Sequence, residues 1–437
     1  MVSCAIPTPT IPNFLKYKLY KSIPHGLPAS PVVAVRQLSM ADMADKPVET
    51  VIQHETFLST TEDSLALTLE ALIDSSATNA DDVTQGVDMH MMHMFRIPWM
   101  HKLIPELEKL AAEYHIGNYV VIRTTGERVF ESMPIYARIG MHLLFYGKGQ
   151  ILLLGTETVA NFLKRLSIKQ GRIYDSPQSV ASILSFIKTY SLSLKELLEP
   201  DINQYSCFND FFSRKLKPDA RPVQNAQDPL GICSAADCRL VVYQTFDLAR
   251  EFWVKGRNFT VPELLDVPPA SDTAITFDGS SMAIFRLAPQ DYHRFHCPID
   301  GMIDGEPVNI PGQYYTVNPQ AVNQPSFDVF TANVRSIIYM THEPTGKKVA
   351  FIAIGALLVG SVVWTYGGDA DDKKSVAVKR GEELGCFKYG GSTIVALFER
   401  GLLEFDADLI KNSEETLETL VKVGDSVGTS VKESCAH

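Results

Sequence analysis

The sequence predicts an α+β protein, with an N-terminal helical region followed by a mostly antiparallel, β-rich C-terminal half. Three observations carry this reading. Residues 205–437 break into short alternating or apolar runs, among them RLVVYQTF, AITFDG, MAIFRLA, QYYTVNP, VRSIIYMTH, VAFIAIG and SVAVKRGEELG. Glycine, proline and Asn-Pro punctuate them, as in strands joined by turns. Residues 96–204 instead carry a helical period. Residues 1–95 are first Pro-rich and then acidic, the composition of a variable, partly disordered extension.

Taken in order, residues 1–41 hold Lys16, Lys18, Lys21 and Arg36 but no Asp or Glu. This acid-poor start resembles a transit peptide poorly, with many prolines and a single arginine, and no secretory apolar region is present, so targeting, organelle import included, stays open. The DMHMMHM run puts His90 and His93 three apart. It reads as a Met-rich apolar helix face, with metal binding as the alternative. Pro134 to Gly155 is apolar with scattered basic residues, and either lies in a lipid interface or packs on the next helix. Ser176-Pro177 is an N-cap and first-turn pair that would place Val180, Ile183, Leu184 and Ile187 on one helical face. Ser193 with Glu196 reads as a capping box for a short helix ending at Pro200. Val349 to Gly368 has no charge over 20 residues. Its glycines and β-branched residues suit two buried strands joined at Gly360-Ser361 better than a membrane span.

A hydrophobic content of 45% marks a folded protein, and a formal net charge of -11 without any basic run argues against a nucleic-acid binder. The seven cysteines form no CxxC pair. That suits a reducing, intracellular compartment, and with only Cys233 and Cys238 close together no metal site is expected.

The stretch with chemical content is GCFKYGGSTIVALFE, Gly385 to Glu399. Glycines weaken a strand, yet Gly390 and Gly391 stand directly before Ser392 in a segment that is otherwise sheet-forming. A serine hydroxyl becomes a nucleophile when a base, typically a histidine oriented by a carboxylate, takes its proton. Asp237 in SAADCR and His293 and His296 in DYHRFHCPIDG are the candidates. On a strand, two histidines three apart point to opposite faces, so one can serve Ser392 while the other serves something else. A hydrolase is the first use of such a set. The only G-x-S-x-G match, Gly424 to Gly428, has no room after it for the partners of a nucleophile elbow. The glycines suggest a second target, the carbonyl of Gly391. Attack there shifts the peptide to an ester, elimination across the serine Cα–Cβ bond follows, and loss of ammonia leaves a pyruvoyl group on a chain beginning at residue 392.

The blocks FNDFFSRKLKPDARPV, SAADCRL, LAPQDYHRFHCPIDG, PGQYYTVNPQAV, IGALLVGSVVWT and GEELGCFKYGGSTIVALFE, in that order, resemble the phosphatidylserine decarboxylase proenzymes of eukaryotic type. The resemblance runs over roughly residues 128–428. It implies self-cleavage after Gly391, with Ser392 as pyruvoyl precursor. Asp237 and His296 would form with it the triad for self-cleavage, and His293 would assist decarboxylation or protonation. It implies a covalent pyruvoyl cofactor, a Schiff base with phosphatidylserine, and release of CO2 and phosphatidylethanolamine. The expected assembly is a heterodimer of the two cleaved chains, residues 205–437 holding the decarboxylase fold, with room for a higher oligomer. Peripheral contact with an endomembrane or mitochondrial membrane, or a cytosolic location, is expected. No calcium-ligand loop of an upstream lipid-binding domain and no transmembrane anchor is evident. Lys164, Arg165, Lys169, Arg172, Arg214, Lys215 and Lys217 are candidates to meet anionic lipid. Two other readings stay open: a soluble pyruvoyl decarboxylase of a free amino acid such as an aromatic one, and a lipid-binding relative that never matures.

Overall fold

The computed structural model describes residues 118–131, 157–252, 259–315, 317, 322, 328–356, 361–367, 375–390 and 392–431. The expectations for residues 1–95, for the DMHMMHM run and for Pro134 to Gly155 lie outside these residues. The strands, in chain order, are β1 (Asn118–Ile122), β2 (Glu127–Glu131), β3 (Gly231–Cys233), β4 (Cys238–Tyr243), β5 (Ser281–Leu287), β6 (Arg294–His296), β7 (Gly301–Asp304), β8 (Val308–Ile310), β9 (Arg335–His342), β10 (Lys348–Gly355), β11 (Val362–Trp364), β12 (Ser375–Val378), β13 (Glu383–Phe387), β14 (Ser392–Phe398), β15 (Leu403–Phe405), β16 (Glu418–Val421) and β17 (Ser426–Ser430). The helices that matter below are α1 (Glu157–Tyr174), α2 (Ala181–Tyr190), α3 (Phe208–Phe212), α4 (Phe246–Phe252), α5 (Val261–Leu265) and α6 (Asp272–Thr276).

One large sheet dominates, with strand order β12-β7-β9-β10-β14-β5-β4-β16-β1-β2 and β8 paired to β9. Its pairings are antiparallel except for β1 on β16. The middle strands are apolar on both faces, so alternate residues enter two different cores. In β14, Ile394, Ala396 and Phe398 join one core with Phe285, Phe295 and Phe351, while Val395 and Leu397 join the other with Ile284, Ile352 and Phe330. Two small sheets, β11-β13-β6 and β15-β17-β3, complete the strands. A third, aromatic core of Phe186 on α2 and Phe208, Phe211 and Phe212 on α3 gathers Tyr174 and Tyr389 around it.

Residues 157–190 are helical as expected, but β1 and β2 add strands to the large sheet from within the region read as helical. On α2, Ile183 and Phe186 face the core whereas Leu184 is 49% exposed. Ser176 precedes a 3-10 turn at Pro177 as its N-cap, yet its hydroxyl donates back to the Ile173 carbonyl instead of capping. The Ser193–Glu196 pair starts no helix. Leu197 bridges Leu216, and the Leu198 and Lys217 amides donate to Lys215 and Glu196 carbonyls, so a tertiary ladder takes the backbone groups a helix would use. AITFDG is not a strand either. The Ser271 hydroxyl accepts from the Ala274 amide and starts α6, leaving Ile275 64% exposed. Val349 to Gly368 contributes β10 to the large sheet and β11 to a small one. Among the described residues no helix is long and apolar enough to cross a membrane.

Gly385 on β13 shows how closely the layers pack. A Cβ there would stand 2.3 Å from the Val363 carbonyl oxygen and 2.7 Å from Phe295 Cζ. Gly385→Ala is expected to cost about 1–3 kcal/mol of stability, read as a lowered urea midpoint.

Candidate active site

Ser392 is the first residue of β14, paired with Gly355 of β10 on one side and Leu287 of β5 on the other. Strand alternation puts its side chain on the same face as Ile394, and it has no solvent exposure. The residues before it explain one of the glycines. Gly390 has φ +133°, a backbone conformation that L side chains rarely adopt. Just upstream, the Tyr389 amide donates to Asn209 Oδ1 at 2.8 Å, which ties the segment to α3. Gly391 itself lies outside the described residues.

Of the two histidines, the structure brings His293 to the serine. Ser392 Oγ and His293 Nδ1 are 3.0 Å apart, both residues fully buried. His293 Nε2 is 3.0 Å from the Ala288 carbonyl. A carbonyl only accepts, so Nε2 carries the proton and Nδ1 presents its lone pair to the serine hydroxyl. Burial, with the nearby Arg214 charge adding to it, pushes the His293 pKa down to about 3. The Phe212 ring lies against the imidazole at 3.9 Å between centroids.

His296, three residues on and the last residue of β6, turns to other partners. Its Nδ1 donates to the Gly381 carbonyl at 2.8 Å, and its Nε2 pairs with the Tyr292 hydroxyl at 3.1 Å. Burial lowers its pKa, countered by the Gly381 carbonyl and by the charges of Glu383 and Asp237. Asp237 accepts from Arg221 Nε at 2.9 and 3.0 Å, from Arg221 Nη2 at 2.6 Å and from the Val423 amide at 2.9 Å. Two separate constellations result: Ser392 with His293, and His296 with Tyr292, while Asp237 is held by Arg221 and reaches His296 through its charge alone. No hydrogen bond joins His296 to Ser392.

Sequence reasoning named the two histidines, Asp237 and Ser392. It missed Arg221, Tyr292 and Asn209, which all lie in the quoted blocks and whose roles depend on contacts across the fold. It also grouped Arg214 with lipid-facing charges. As a surface charge Arg214 does not fit: it is 6% exposed, because its guanidinium turns inward to the Gln290 and Asp291 carbonyls. Lys215 and Lys217 are exposed.

The phosphatidylserine decarboxylase family model matches residues 208–429. A relative from Fusobacterium nucleatum called phosphatidylserine decarboxylase proenzyme is 34% identical over 306 residues, 70% of this chain and 95% of that protein. The chain belongs to the phosphatidylserine decarboxylase family. Family members called proenzyme 3 in Schizosaccharomyces pombe and proenzyme 2 in Komagataella phaffii are 44% and 40% identical over 309 and 311 residues. Each alignment covers 71% of this chain and 30% of the fungal protein.

Burial of a neutral imidazole has a sign that can be checked. Between about pH 6.5, where an unfolded histidine titrates, and about pH 3 for folded His293, the unfolded state binds a proton that the native state does not. Stability owed to His293 is thus full above the upper value and is lost as pH falls through this window. Urea midpoints of the wild type should fall more steeply than those of His293→Gln across it.

Proposed function

We propose that this chain matures by cutting itself between Gly391 and Ser392 and then decarboxylates phosphatidylserine to phosphatidylethanolamine. The observation that carries the reading is the buried Ser392–His293 pair at the start of β14, in a chain of this family. A pyruvoyl group made from Ser392 fits the position: the hydroxyl is sealed from water and held by one imidazole, and Gly390 supplies the backbone geometry upstream. Such a group supplies a ketone that takes up an amine and withdraws the electron pair left when a carboxylate departs as CO2.

The chain's own residues do the rest. In maturation, Ser392 Oγ bonds to the Gly391 carbonyl carbon as the peptide C–N bond breaks and its proton passes to a base. Loss of the Cα proton then expels the ester oxygen, and water replaces nitrogen, which leaves as ammonia. A base works best with a pKa near the operating pH. His293, held at about 3, orients the hydroxyl but takes its proton poorly. The reading carried by the family motifs therefore assigns the proton to His296 supported by Asp237, and it requires His296 to exchange its Tyr292 contact for the serine. The same motifs assign His293 to assisting decarboxylation or protonation, and its Nδ1 lies 3.0 Å from Ser392 Oγ. A second reading rests on the 3.0 Å contact itself, with His293 as the base at both stages.

The cleaved pieces are proposed to stay paired, and contact with a membrane is proposed to be peripheral, with Arg165, Ile168, Lys169 and Arg172 exposed on α1. The free amino-acid substrate is not favoured, because the relatives compared above are called phosphatidylserine decarboxylase proenzymes.

Ser392→Ala should stay one chain on a denaturing gel and release no CO2 from phosphatidylserine vesicles, against a split, active wild type. An active wild type that remains intact would refute the proposal. His296→Ala should block the split, while His293→Ala should split and lose turnover by about 100-fold or more, the scale of a lost general acid. The reverse pattern, with only His293→Ala uncut, would transfer the base role to His293.

A further inference from the structure

Burying a guanidinium is costly unless its charge and its five N–H donors are met. Four arginines are buried among the described residues. Arg239 pairs with Glu131 and Asp291, and Arg380 with Asp300 at 2.8 Å. Arg335 has no carboxylate but is fully dressed, donating to the carbonyls of Leu264, Thr331, Asn333 and Glu263 at 2.6–3.1 Å.

Arg214 is the exception. Its Nη2 donates to the Gln290 and Asp291 carbonyls at 3.0 and 2.9 Å, and its Nη1 reaches the Phe212 carbonyl only at 3.4 Å. Among the described residues its Nε makes no hydrogen bond and no carboxylate forms an ion pair with it. It stands beside the reacting centre. It follows Phe212, whose ring touches His293, and it grips the turn that runs directly into Tyr292 and His293. Its guanidinium carbon also lies 5.4 Å from the Phe211 ring centroid, and a cation with spare donors, bonded to the carbonyl two residues before His293, is a place for an oxyanion.

We propose that Arg214 anchors the phosphodiester of the substrate. The inference rests on the decarboxylase reading above and adds a binding residue to it. Phosphatidylserine brings two oxyanions, and the chemistry chooses between them. The carboxylate loses its charge on leaving as CO2, so a cation on it would stabilise the ground state more than the transition state and slow the reaction. The phosphodiester keeps its charge throughout. An arginine on it binds ground and transition state alike and acts on KM.

The test uses the full chain as wild type, Arg214→Gln and Arg214→Lys, with self-cleavage scored first on denaturing gels. Each is offered short-chain phosphatidylserine in mixed micelles and, separately, an O-alkyl serine ether that has the amine and carboxylate but no phosphate. Arg214→Gln should raise KM for phosphatidylserine about tenfold or more, as loss of a buried charge contact does, with kcat nearly unchanged and KM for the ether unaltered. Arg214→Lys should recover part of the loss. Inorganic phosphate should compete with the ether in the wild type and not in Arg214→Gln. An unchanged KM, or equal losses on both substrates, would overturn the assignment, the latter placing Arg214 on the carboxylate or in the fold alone. Should neither variant mature, phosphate competition in the wild type decides: none means no phosphodiester anchor. A wild type inactive on phosphatidylserine brings down the decarboxylase reading itself, whereas an active one with indifferent variants removes only the anchor.

Discussion

A hydroxyl group sealed from water has to find its hydrogen bond inside the protein, and for Ser392 that bond goes to His293 Nδ1. Much of the surrounding structure can be understood as what holds the two partners in place. The serine is fixed by pairing on both sides of β14. The imidazole is fixed by the Ala288 carbonyl, which belongs to a turn that Asp291 closes from both ends. The Asp291 amide donates to the Ala288 carbonyl, and its carboxylate accepts from the Ala288 amide at 2.6 Å. The same carboxylate pairs with Arg239, so the turn is anchored to β4.

Charge is packed around this point in a graded way. Arg239 reaches Glu131 on β2, Arg286 bonds Glu418 on β16, and Arg221 holds Asp237. These pairs sit in low dielectric, where an ion pair is worth little as stabilisation but is costly to break from one side. Their effect is on register and orientation. They tie β2 and the start of β16 to the strands that carry the site, which is how a short hairpin from the N-terminal part of the chain comes to bear on it.

The parts of this arrangement that follow local rules could be read from residue order. Strand alternation predicts the two-faced burial of β14, and the glycines before Ser392 signal a special backbone, met at Gly390. His293 and His296 do go to different partners, although only His296 lies on a strand, His293 standing just before β6. Which of them meets the serine is not a local property: it depends on how the small sheet that holds β6 lies against the large sheet that holds β14. Arg221 on Asp237 and Asn209 on Tyr389 are likewise contacts between distant segments. The misread elements fail for the same reason. Ser193 and Glu196 have the spacing of a capping box, but the pairing of 197–198 with 215–217 outcompetes a single helical turn. AITFDG alternates well enough for a strand, and one hydroxyl at Ser271 tips it into α6.

The strands after Gly391 do not form a unit of their own. β14 lies between β10 and β5, β16 between β4 and β1, and β17 between β15 and β3. A chain severed ahead of Ser392 would leave its tail woven through two sheets, each half completing the other's ladders. Scission would then be silent in the native state and irreversible in its loss. Once pulled apart by heat or denaturant, the halves must find each other by diffusion, with unpaired strand edges open to self-association meanwhile. Such a molecule persists through slow unfolding, because its way back has been removed.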